Sequence, residues 1–194
     1  PGKATIASIR MASIGYAIPG TVVAVGVIIP FAWLDGRIDT FMQSSFGISS
    51  GLILSGTIVA VMFAYVVRFL AISLQTVESG LEKIKPSMDD AARSLGCRPR
   101  ETLYKIHIPL MKSSTLTAMM IVFVDVMKEL PATLILRPFD FNTLAVRAFE
   151  LASDERLADS STAALTIVLV GLVPVIYLSK TISHSRLDQG NIKI

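Results

Sequence analysis

The sequence predicts an all-α fold, a polytopic bundle of membrane helices with about four full passes, and three observations lead there. Of 194 residues, 52% are hydrophobic and only 17% charged, with a mean hydropathy of +0.62, whereas soluble domains carry about 25% charge. Four charge-bounded windows reach roughly 20 mainly apolar residues, the length needed to cross about 30 Å of hydrocarbon. Lys and Arg gather between those windows instead of spreading along the chain.

Composition also excludes several classes of function. Cys97 is the single cysteine, so neither an internal disulfide nor a CxxC metal or redox site is available. A net charge of +3 and a pI near 9.2 would suit nucleic acid only with the basic residues on one soluble face. Their segregation is instead a topology signal, and nucleic acid is not expected as a partner. No GxxxxGK[ST] run occurs, so nucleotide would have to be handled by a partner. The chain starts at Pro1 without the pattern of a secretory signal, and is expected to come from the interior of a longer one.

The first window covers about residues 11–33 and is interrupted by Pro19, Gly20 and Pro30, breakers that membrane helices tolerate where neighbours resatisfy the backbone. The second covers about 51–73. In it Gly51, Ser55, Gly56 and Ala60 suit close helix packing, and Arg68 is expected to snorkel to the interface. The third, about 113–136, is apolar until Asp125, Lys128 and Glu129, and the fourth, about 161–182, contains Pro174.

Three connections follow, near 34–50, 74–112 and 137–160. Thirteen Lys and Arg fall on the side of the termini and the 74–112 connection. Four fall on the other side, beside seven carboxylates that include Asp35 and Asp39. Cytoplasmic loops carry the basic excess, so the termini and the long connection are expected to be cytoplasmic.

That connection far exceeds the roughly 2–8 residues that link helices in bundles. Ser87 is a plausible N-cap, with Asp89 and Asp90 in the first turn. Gly96 can end this short helix in the left-handed conformation, and Pro99 can open a second, RETLYKIHI, that stops at Pro109.

The string DDAARSLGCRPRETLYKIHIPL resembles the EAA loop of binding-protein-dependent ABC importer permeases. Asp90, Ala91, Ala92, Gly96, Ile106 and Pro109 fall at the family spacings, with Asp90 in place of Glu and Ile108 in place of Leu. The resemblance implies a coupling loop, about 75–112, that docks on a cytoplasmic ATPase, within one permease domain over 1–194. Small Ala91 and Ala92 would permit close approach, and a carboxylate can meet a basic partner.

Three ionisable groups within five residues cannot face lipid at mid-membrane, where each costs roughly 2.5–3.5 kcal/mol on insertion scales. Helical spacing would put Asp125, Lys128 and Glu129 on one side, about 20 Å along the third span from Lys112. They are candidates to line a translocation pathway, where a cation would favour Asp125 and Glu129. The alternatives are an Asp125 to Lys128 pair that holds helices together, or a cluster already at the outer interface.

The run Lys128, Glu129, Leu130, Pro131, Ala132, Thr133, Leu134, then Arg137, Pro138, Phe139, then Asn142, Thr143, Leu144, Ala145 resembles the iron(III)-type permeases. AIPGTVVAVG, from Ala17 to Gly26, is similar to a helix in each of their halves. The resemblance implies a type I importer subunit of the bacterial inner membrane, similar to the C-terminal half of such a permease. It would bind no cofactor directly and perform no chemistry itself. ATP and Mg would be used by a partner ATPase dimer, beside a homologous permease half and a periplasmic binding protein. Ferric iron is the implied cargo; thiamine, a phosphonate, a polyamine or another anion are alternatives. Rival classes are a membrane enzyme using Asp125 and Glu129 as an acid/base pair and a passive channel. His107 and His184 are expected to be polar groups near the cytoplasmic interface, and residues 143–159 an outer-surface helix or a binding-protein contact.

Overall fold

The computed structural model describes residues 2–190. Lys193 and the side chains of Lys3, His184 and Arg186, which the sequence reading used, lie outside the described residues. Among the described residues every regular element is helical, and four helical stretches are long and apolar enough to cross a membrane: Gly20–Phe46, Ile58–Leu81, Pro99–Met127 and Leu157–Tyr177. The chain is a multi-pass helical membrane protein.

The first pass is built differently from the expected window. Helix α1 (Lys3–Ile14) stops before a turn over 15–19, and α2 (Gly20–Phe46) starts afresh behind Pro19. Pro19 fixes the extended conformation that admits a helix start at the next residue, and α2 then runs through Pro30 to Gly47, whose φ of 68° closes it. Asp35, Arg37 and Asp39 are therefore helical, not part of a loop.

Helix α3 (Ile58–Leu81) begins seven residues later than expected, with Thr57 accepting the Val59 N–H at 3.3 Å. Gly51 and Gly56 are not a packing face: both take positive φ, 62° and 69°, in the turns before α3. Ala60 does fulfil the packing role and is fully buried.

The long connection folds as α4 (Pro86–Ser94) and α5 (Pro99–Thr102). It then passes through a π turn (Leu103–His107) into α6 (Ile108–Met127) without a break. Lys85, not Ser87, occupies the N-cap, and Pro86 takes the first helical position. Pro109 does not stop the helix. It lacks the N–H to bond back to Lys105 and its ring would press on that carbonyl; the widened π turn, where the Ile108 N–H bonds to the Leu103 carbonyl, absorbs the misfit.

Helix α6 ends at Met127 instead of continuing to 136, and a short α7 (Pro131–Leu136) follows after Leu130. Helix α8 (Leu144–Ser153) is capped by Thr143, and α9 (Leu157–Gly190) runs through Pro174. The core lies where α2, α3 and α7 meet, through Val23, Ala24, Val27, Ala60, Val61, Ala64, Ala132 and Leu136. Its small residues let backbones approach closely, as lipid-embedded bundles require. Helix α3 also packs along α6, and α8 on α9.

Candidate functional site

Two places hold the residues expected to act, and α6 joins them. At one end, α4 closes in a full left-handed cap: Gly96 has φ 79°, its N–H bonds to Arg93, and the Cys97 N–H reaches back to Ala92. The expected turn at Gly96 is present. Ala92 is buried, whereas Asp90, Ala91, Gly96 and Pro109 are exposed and Ile106 is partly so. Asp90 is held only by a loose 3.9 Å contact to Arg93.

His107 is more than an isolated polar group. Its Nε2 lies 2.7 Å from Asp89 Oδ1, tying α4 to the turn that feeds α6 beside a pocket of about 170 Å³ lined by Cys97 and Thr102 among others. Sequence reading missed this pair and also an apolar face. Met88 and Ala91 of α4 and its C-cap Leu95 lie at i, i+3 and i+7, and Leu95 is 84% exposed. That spacing was the available signal.

At the other end of α6 the three charges separate. Lys128, past the end of the helix, bonds to Asp125 at 2.8 Å. Glu129 does not share their face, because the helix has already ended, and it pairs with Arg68 at 2.8 Å. Arg68 therefore does not snorkel. It lies about 15 Å along α3 from Ile58 and about 20 Å from Leu81, and turns inward.

Glu129 Oε1 also accepts the Ala132 N–H at 3.2 Å, where a carboxylate offsets the partial positive charge of the α7 start. The Glu129 carbonyl accepts from the Thr133 hydroxyl at 3.0 Å, and Thr133 shares a hydrogen bond with the Tyr65 hydroxyl.

The break between α1 and α2 sits against this pair. A Cβ on Gly20 would fall 2.1 Å from Arg68 Nη1 and 2.8 Å from Glu129 Oε1; one on Gly15 would fall 2.2 Å from the Val67 carbonyl oxygen. Two interrupted helices thus bring their breaks together near the middle of α3, and the arrangement places ionisable groups and free helix ends where uninterrupted helices would present only side chains.

Two further carboxylates were missed as organisers. Asp35, 1% exposed, accepts from the backbone N–H groups of Ile53, Leu54 and Ser55 and from the Ser55 hydroxyl. One turn on, Asp39 accepts from the Ser49 hydroxyl and the N–H groups of Ser50 and Gly51. An i, i+4 carboxylate pair ahead of a Ser/Gly-rich turn was the signal. In the 137–160 connection, Arg137 bonds to Glu150 of α8 at 2.8 Å. The Ser160 hydroxyl of α9 donates to the Ala148 carbonyl, so α8 lies against α9.

Comparison with known proteins gives this arrangement its family. The family model described as "Binding-protein-dependent transport system inner membrane component" matches residues 3–189. An Fe(3+)-transport system permease protein, FbpB 2 of Haemophilus influenzae, is 28% identical over 171 residues, covering 88% of this chain and 31% of that protein. A relative from Salmonella typhimurium named "Putative 2-aminoethylphosphonate transport system permease protein PhnV" is 29% identical over 173 residues, covering 89% of this chain and 58% of that protein. The ferric transport system permease protein FbpB of Actinobacillus pleuropneumoniae is 22% identical over 192 residues, 99% of this chain and 25% of that protein. The chain thus spans between a quarter and three fifths of the length of these relatives. The family is one of transport permeases rather than enzymes, and this chain belongs to it: it is a binding-protein-dependent transport system inner membrane component.

Proposed function

We propose that the chain is part of the permease of a type I ABC importer, in which the loop around Asp90, Ala91, Ala92 and Gly96 docks on a cytoplasmic ATPase dimer. In this reading ATP and Mg are used by that partner. The termini and the 74–112 loop face the cytoplasm, and a homologous half, in the same polypeptide or a second copy, completes the pathway. A periplasmic binding protein delivers the cargo. Asp125, Lys128 and Glu129 lie beside the pathway, Ile106 and Pro109 at the foot of the moving helix.

The observation that carries the reading is the continuity of helix from Pro99 to Met127. One stretch of helix begins at the capped turn after α4, is tied to α4 through Asp89 and His107, and ends at the two breaks. Displacement of α4 by closing ATPases would move the far end of α6, where access could switch sides. Ferric iron is the cargo suggested by relatives named for iron, and a phosphonate is the second reading, favoured by relatives named for 2-aminoethylphosphonate.

The test is co-purification of the full-length parent chain with its ATPase, comparing wild type with Ala91→Glu combined with Leu95→Asp, both on the exposed face of α4. Loss of the complex with unchanged membrane insertion is expected. An intact complex would remove the coupling role.

A further inference from the structure

The four charged side chains at the helix breaks are unequally presented. Glu129 is 5% exposed, Asp125 11% and Arg68 19%, whereas Lys128 is 65% exposed. Resting on the permease reading above, we propose that Lys128 presents its ammonium to the transport pathway and selects cargo that carries oxyanion groups. The chemical class is a phosphonate or carboxylate, either on a small solute or as the ligand shell of an anionic iron chelate.

The carboxylates are already engaged. Glu129 Oε1 takes both Arg68 and the Ala132 N–H, and Asp125 takes Lys128. A bare cation would meet carboxylates whose charge is already largely balanced by a side-chain cation 2.8 Å away, and would gain correspondingly little from either one. Lys128 has the opposite balance, since an ammonium offers three donors and Asp125 accepts at one of its oxygens. The remaining donors are available to an incoming anion.

Position adds a second argument. Lys128 directly follows the third pass, which stops at Met127, but it lies next to Glu129, whose partner Arg68 is well inside α3, and opposite Val168 and Leu172, which are well inside the fourth pass. A Lys at the centre of a membrane helix costs roughly 2.5–3.5 kcal/mol if it faces lipid, so a water-lined face is the favourable placement. Its stem lines an apolar groove of about 360 Å³ between α6 and α9, walled by Val124, Met127, Val168 and Leu172. Asp125, 2.8 Å away, keeps the head group oriented.

The experiment uses the full-length parent permease with its ATPase and binding protein in proteoliposomes. Uptake of 2-aminoethylphosphonate, ferric citrate and thiamine is followed, the last as a cation without an oxyanion. Wild type is expected to take up one of the oxyanion probes, and Lys128→Arg to retain that uptake. Lys128→Gln and Lys128→Glu should lower it by about tenfold or more, the loss of one charge-assisted hydrogen bond, with ATPase co-purification unchanged. In a background with the native cysteines, Cys97 included, replaced by Ser, the Lys128→Cys variant should react with a membrane-impermeant thiol reagent. Thiamine as the cargo, unchanged uptake in Lys128→Glu, or an unreactive Lys128→Cys would each overturn the inference. Failure of the wild-type chain to associate with an ATPase would instead overturn the permease reading itself, which the co-purification reports separately.

Discussion

Arg68 and Glu129, 61 residues apart in the chain, meet at 2.8 Å where the α1–α2 and α6–α7 breaks come together. The pair joins α3 to the start of α7 and lies against the first residue of α2. A buried pair of this kind is weak evidence for net stability, because desolvation offsets most of the attraction, but breaking it strands a charge.

Arg68→Met is therefore expected to destabilise by about 3–5 kcal/mol, and the double variant Arg68→Met with Glu129→Met to recover most of that loss. Thermal unfolding of the full-length protein in detergent, as a double-mutant cycle, measures both. Equal damage in single and double variants would show that the pair does not act as a unit.

Gly20 has no room for a side chain, since even a Cβ would lie 2.1 Å from Arg68 Nη1 and 3.3 Å from the Ala132 backbone nitrogen. Gly20→Val should cost about 1–3 kcal/mol, the range for overpacking. Gly26, six residues further along α2, faces open space, and Gly26→Ala should leave the unfolding midpoint unchanged or raised.

Asp35→Ala leaves three backbone N–H groups and the Ser55 hydroxyl without their acceptor. A loss on the order of 2–4 kcal/mol is expected, given about 1–3 kcal/mol for each stranded buried group and partial rescue by water. Hydrogen exchange should rise specifically at Ile53, Leu54 and Ser55; protection unchanged there would refute the organising role.

The Asp89 to His107 contact joins α4 to the π turn at 2.7 Å. If α4 moves α6, His107→Leu should let ATP hydrolysis continue while transport per ATP falls by roughly fivefold, the equivalent of one hydrogen bond near 1 kcal/mol. His107→Gln, which can still bond Asp89, should retain more of the coupling. Equal ratios in wild type and His107→Leu would mean that the contact only positions the loop at rest.

The cap at Gly96 is a matter of backbone alone. With φ at 79°, Gly96→Ala should cost roughly 1–2 kcal/mol, whereas Gly96→Asn should be tolerated better. Protease sensitivity of the 95–100 segment reads the difference.

Much of this was legible in the sequence because it depends on composition and local spacing. A hydropathy of +0.62 over 194 residues requires lipid as solvent, and four apolar stretches follow from counting. The bend at Gly96 follows from a residue without a Cβ behind a short helical run. The helix limits were less legible. A hydropathy window weighs how apolar a stretch is, whereas Pro19 and the ends at Met127 and Thr57 depend on backbone angles and on which groups are free to cap.

The Asp125 to Lys128 pair, three residues apart, was legible as an alternative from spacing, but the long-range partners belonged to the tertiary structure. Residues 125, 128 and 129 share a face only if one helix contains them, and the end of α6 at Met127 sends Glu129 to Arg68 while leaving Lys128 with Asp125. Likewise, Asp35 and Asp39 read as loop charges until α2 extends to Phe46 and brings the 49–55 backbone beneath them. The sequence by itself determined that charges within an apolar chain must be satisfied by protein or water. Which side chain satisfies which, and which one is left exposed, was decided by where helices stop and what then lies opposite, because pairing energies act over a few ångströms in space and carry no record of separation along the chain.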